Sequence, residues 1–108
     1  MTNTKNTNFI IDGYRMDNGE INIDYFVEQI EIVGNNTRSL YDDARSSRKA
    51  LSVAKNWICE FINTELRYSG YFGYVCTYAQ IRKALKNQLE AVEKGVANLI
   101  ETIRAETA

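Results

Sequence analysis

From Asn36 to Tyr68 the chain contains neither Gly nor Pro, and a register set at Ile30 runs through it in steps of three and four. Its members are Val33, Thr37, Leu40, Ala44, Ser47, Leu51, Ala54, Ile58, Phe61, Glu65 and Tyr68. Apolar and small residues repeating at that interval keep one face of an α-helix against a neighbour, so the spacing predicts a helix over residues 36–68. In its second half Val53, Trp57 and Phe61 form another stripe beside Ala54, Ile58 and Ile62. A helix apolar over two adjacent stripes must pack against more than one partner.

The register stops at the connection "RYSGYFGYVCTYAQIRK", Arg67 to Lys83. Gly70 suits the left-handed residue that closes a helix, and Thr77 followed three residues later by Gln80 has the spacing of a capping box. A further helix is predicted over residues 78–106, with Ile81, Leu85, Leu89, Val92, Val96, Leu99, Ile100 and Ile103 on one stripe. Two long helices on a short connection lie antiparallel. Charge agrees. Arg38, Arg45, Arg48, Lys49 and Lys55 outweigh Asp42 and Asp43 at the start of the first long helix, and Arg82, Lys83 and Lys86 open the second, whose later half carries Glu90, Glu93, Glu101 and Glu106. Antiparallel packing sets each basic half beside an acidic one.

Upstream the signals are shorter. Residues 1–8 are almost all Asn, Thr and Lys, with nothing to bury, and read as a flexible tail. Asp17-Asn18-Gly19 is a turn signal, because Asn and Gly accept positive φ. The apolar residues on either side predict a small β-hairpin or extended arm, then a short helix over 24–33 that Asp24 can cap. The fold class is therefore mainly α: an antiparallel long-helix hairpin plus a short N-terminal helix, preceded by that hairpin or arm, in one helical domain over 9–108. With 44% apolar residues, the 108-residue chain has enough to bury one core without staples.

Several chemistries are excluded on composition. The chain has no His, and Cys59 and Cys76 lie far apart, so neither a mixed zinc site nor an imidazole base can be assembled. No Gly-rich phosphate loop is present, since the spacing of Gly70 and Gly73 fits neither dinucleotide nor Walker patterns. Neither a cofactor nor a metal is expected, and no enzymatic activity. The net charge of −1 gives no global field for nucleic acid. The N-terminus "MTNTKNTN" has no signal-peptide pattern and no apolar run approaches the ~20 residues of a membrane span, so a cytoplasmic protein with reduced thiols and no membrane contact is expected.

What remains is the ring-rich connection. Tyr68, Tyr71, Phe72, Tyr74 and Tyr78 are interleaved with Arg67, Arg82, Lys83 and Lys86, and these nine residues are the candidate binding site. Such rings can plug the open end of a helix pair, anchor a partner protein, or stack the bases of a nucleotide or single strand while the cations take phosphates. Arg82, Lys83 and Lys86 in the first turns of a long helix would oppose its dipole, so an anion there, or Glu60 and Glu65 of the facing helix, would relieve them. The surplus stripe around Trp57 predicts a homodimer forming a four-helix bundle, unless Phe9, Ile10, Ile11, Phe26 and Ile30 fold back to cover it. In composition the chain is similar to small Asn-rich, His-free accessory proteins of phages and other mobile elements. The expected function is a regulator or inhibitor that binds another protein through the aromatic connection or the stripe around Trp57 and acts by occlusion, with a small nucleotide- or single-strand-binding module at Arg67, Tyr71, Tyr74, Arg82 and Lys83 as the alternative.

Overall fold

The computed structural model describes residues 7–107 and is mainly helical, with no strand among the described residues. Six α-helices follow in order: α1 (Phe9–Asp12), α2 (Ile23–Asn35), α3 (Arg38–Ala44), α4 (Ala50–Tyr68), α5 (Tyr78–Leu85) and α6 (Leu89–Thr107), with a 3-10 turn, Lys86–Gln88, between the last two. Residues 1–6 of the expected tail lie outside the described residues, and Thr7 is buried.

Both long helices of the sequence reading are interrupted. The 36–68 segment breaks at Arg45–Lys49, where Ser47 of the expected register is exposed. Two serines in a row favour such a break, because a short hydroxyl competes for nearby backbone groups. Ser46 donates to the Asp43 carbonyl at 2.6 Å, and Arg48 grips the Asp43 carboxylate at 2.8 and 3.0 Å. The carbonyls this frees are taken by one side chain from the far end of the sequence: Arg104 of α6 donates to Ala44 O at 2.8 Å and to Arg48 O. The end of α6 is thereby fixed against the start of α4.

The second interruption has no Gly or Pro to announce it. Lys86 takes a φ of 51°, and α5 stops there. The partners come from the N-terminal turn: Gln88 accepts from Ile21 N at 2.8 Å and donates to Ile21 O at 3.1 Å, while Arg15 donates to Ala84 O at 2.9 Å. That turn is the predicted one, with Gly19 at φ 86°, but it is closed by a single antiparallel bridge, Arg15 to Ile21, rather than by two strands. The cap of α2 is also shifted: Asn22, not Asp24, accepts from Tyr25 N.

The buried residues form one cluster. Trp57, Phe26 and Phe61 are fully enclosed, with Phe26 and Phe61 edge to face at 5.5 Å, and each such side chain contributes about 1.5–3 kcal/mol on burial. Both stripes of α4 are buried, from Val53 to Leu66, against α6 on one side and α2 on another. Gly34 makes the second packing possible: it lies within α2, and a Cβ there would sit 2.1 Å from Trp57 Cζ3. Ile11, Phe26 and Ile30 have folded back over the Trp57 stripe, so the surplus surface on which the dimer was predicted is covered within the chain. Leu89, expected in the core, is only partly buried.

Candidate functional site

The ring-rich connection is built by two end signals. At the C-terminus of α4, Gly70 adopts φ 85°, Tyr71 N donates to Leu66 O at 2.9 Å and Gly70 N to Arg67 O at 3.1 Å, which is the paired bonding of a Schellman stop. At the start of α5 the Thr77–Gln80 capping box is complete in both directions. Between them the chain is held to α4 by Asn63: Oδ1 accepts from Cys76 N at 2.9 Å, and Nδ2 donates to Cys76 O at 3.1 Å and to Cys59 O, one turn back in α4, at 2.9 Å.

Pinned at that point, the rings sort into two environments. Tyr74 and Tyr78 are half-buried and pack on the core. The Tyr78 hydroxyl donates to the Glu93 carboxylate on α6, and burial followed by that carboxylate pushes its pKa up, while Arg82 stands over the ring at 5.6 Å. The other rings face outward: Tyr68 is 83% exposed, Phe72 76% and Tyr71 41%. Tyr71 stands edge-on to Tyr74 at 5.4 Å and on its other side meets Phe9 of α1 at 4.8 Å. Phe9 is itself 41% exposed, and Val75 is also exposed. Beside Tyr68, a cavity of about 180 Å³ opens between α2 and α4, lined by Ile32, Val33, Thr37 and Thr64.

The cations of the predicted site are not gathered around these rings. Arg67 is exposed and bonds Thr64 Oγ1 at 3.1 Å. Because α5 ends at Leu85, Arg82 and Lys83 occupy its last turn, not the opening turns of a long helix. There the helix dipole favours them, so the penalty that suggested a bound anion is absent. Lys86 lies further on, in a polar cleft of about 300 Å³ with Arg15, Asn18, Glu20 and Gln88. Among the described residues the cations standing over rings are Arg45 on Tyr41 and Arg82 on Tyr78, and none stands over Tyr71 or Phe72. At the α3–α4 break, α3 packs on α2 without an ion pair between them among the described residues. The ion pairs of the basic residues there are local, Arg38 with Asp42 and Arg48 with Asp43.

Two participants escaped the sequence reading. Phe9 adjoins the polar tail and reads only as part of an arm, and Asn63 carries no pattern, because its role depends on Cys76 arriving opposite it. Among the described residues no cluster of His, Cys, Asp or Glu is arranged to hold a metal, and no helix is long and apolar enough to cross a membrane. Compared with known proteins, the chain matches no family model, no curated protein and no solved structure.

Proposed function

We propose that this chain is a non-enzymatic cytoplasmic protein that binds another protein through its aromatic end and acts by occlusion, as an accessory regulator or inhibitor does. The observation that carries the reading is the set of outward rings at this end, Tyr68, Tyr71, Phe72 and Phe9, with Phe9 against Tyr71 and Tyr68 at the edge of the cavity beside Ile32. The exposed rings and Val75 leave more apolar surface to water at this end than scattered single residues would, which suits an interaction site. Tyrosine and phenylalanine bring much contact area with few rotors to freeze, and the cavity beside Tyr68, where Ile32 and Val33 face Asn36, Thr37 and Thr64, accepts a side chain of mixed polarity from the partner.

The test is a photo-crosslinking residue at Phe72 in the full chain, expressed in the source cell and compared with a Tyr68→Ser/Phe72→Ser variant. Capture of one defined protein, lost in the variant while its circular dichroism and melting temperature hold, is the expected result. Salt-sensitive capture of a single-stranded nucleic acid would replace the reading with a base-stacking module. Crosslinking only to a second copy, with concentration-dependent mass in sedimentation, would make this end a homodimer interface.

A further inference from the structure

Cys59 and Cys76 are both free thiols, 17 residues apart in sequence and adjacent in space. Cys59 Sγ lies 3.5 Å from the carbonyl oxygen of Cys76, and the same Asn63 amide that holds the Cys76 backbone approaches Cys59 Sγ at 3.6 Å. Accessibility differs: Cys59 is half-buried, whereas Cys76 is fully enclosed, its Sγ 3.7 Å from Thr77 O. Tyr68, Tyr71, Phe72 and Val75 all lie between the two cysteines in sequence. A covalent link from 59 to 76 would therefore close a ring around the exposed aromatic surface.

We propose that Cys59 and Cys76 form a thiol–disulfide site that takes low-molecular-weight disulfides, with Cys59 as the point of entry and Cys76 as the resolving thiol. Cys59 loses its proton to water and its thiolate attacks one sulfur of the small disulfide, giving a mixed disulfide on Cys59 and releasing one small thiolate, which takes up a proton. Cys76 then loses its proton and attacks the Cys59 sulfur, forming the internal disulfide and expelling the second small thiol. Two protein thiols are oxidised and one small disulfide is reduced to two thiols. Entry is confined to Cys59 because Cys76 is fully enclosed, and Asn63, bonded to the backbone of both residues, keeps them side by side for the second step. Burial, followed by Cys76 and Glu60, pushes the Cys59 thiol up, with Asn63 offsetting part of the shift, so the first step accelerates as pH rises. The consequence for partner binding rests on the reading of the aromatic end as a docking surface, whereas the chemistry itself does not.

The experiment treats the reduced, folded chain with oxidised glutathione and follows intact mass and free thiols. The wild type should lose both thiols, release two reduced glutathiones per chain and retain no adduct. Cys76→Ser should stop at one stable glutathione on Cys59, and Cys59→Ser should not react until the protein is unfolded in guanidinium, where Cys76 becomes reactive. A persistent adduct on the wild type, a disulfide between two chains, or equal reactivity of Cys76 in the folded Cys59→Ser variant would overturn the assignment. None of these readouts involves a binding partner, so failure here is distinguishable from failure of the docking reading.

Discussion

Replacing Gly34 by Ala tests the packing of α2 on α4 most directly, because two effects of opposite sign meet at one atom. Inside a helix, Ala is favoured over Gly by up to about 1 kcal/mol, and on helix propensity alone the substitution should stabilise the protein. In the fold, the added Cβ would lie 2.1 Å from Trp57 Cζ3 and 2.5 Å from both Cε3 and Cη2. An ordinary contact needs more than an ångström of extra separation, and the indole has little freedom to give it. The ring is fully buried, and its Nε1 donates to Leu40 O at 3.0 Å. Overpacking of this kind costs about 1–3 kcal/mol, and a displaced indole that abandons Leu40 O adds about 1–3 kcal/mol for its own buried N–H left unpaired. Steric conflict therefore wins, and Gly34→Ala should lose ~2–4 kcal/mol net. Trp57 is the single tryptophan, so urea unfolding followed by its fluorescence reads both stability and environment. Trimming the ring in the double variant Gly34→Ala/Trp57→Leu, with all four members of the cycle followed by far-UV circular dichroism because the Trp57→Leu proteins have no tryptophan, should recover part of the loss as a favourable coupling of about 1 kcal/mol or more. Gly95→Ala is the comparison, since its Cβ would meet a Val27 methyl at 3.0 Å and no ring. An unchanged or higher urea midpoint for Gly34→Ala would show that α2 does not pack on the indole as described.

Three further outcomes are expected. Arg104→Met keeps the aliphatic stem but leaves the Ala44 and Arg48 carbonyls without their donor, and should cost about 1–3 kcal/mol, with faster amide exchange around residues 45–49; Arg104→Lys, lacking the planar fork, should rescue it only in part. Asn63→Ala should release the connection from α4, at a similar cost of ~1–3 kcal/mol, and speed chymotryptic cleavage at Tyr68–Phe72 while the helical circular dichroism is kept; unaltered cleavage would contradict the pinning role. Burial pushes Tyr14 up to about 12, with Glu65 and Tyr25 adding to it, and also raises Tyr78. Both phenols favour the neutral form in the folded state, so their contribution is complete below the ordinary tyrosine value near 10; that of Tyr14 is lost as pH rises from there through about 12, and that of Tyr78 is lost later still. Alkaline titration of phenolate absorbance should show these two ionising late, together with unfolding, and Tyr14→Phe should remove part of that alkaline loss.

The sequence by itself determined the elements whose causes are local. The mainly helical class, the double stripe of α4, the Gly70 stop, the Thr77–Gln80 start and the turn at Asn18–Gly19 each follow from periodicity or from the φ preference of one residue. The two interruptions were a tertiary decision. At Arg45–Lys49 the broken bonds are replaced by Arg104, about sixty residues away, and at Lys86–Gln88 by contacts to Ile21 and Arg15 across more than sixty residues. A helix breaks where distant partners satisfy its freed carbonyls and amides, and a window of a few turns does not contain those partners. The candidate site divided along the same line. That the connection is rich in rings could be read directly; which rings face water could not. Tyr74 and Tyr78 turn inward because Glu93 and the core meet them, Phe9 joins the surface because α1 docks beside Tyr71, and Arg82 and Lys83 lost their apparent conflict with the helix dipole once α5 ended at Leu85.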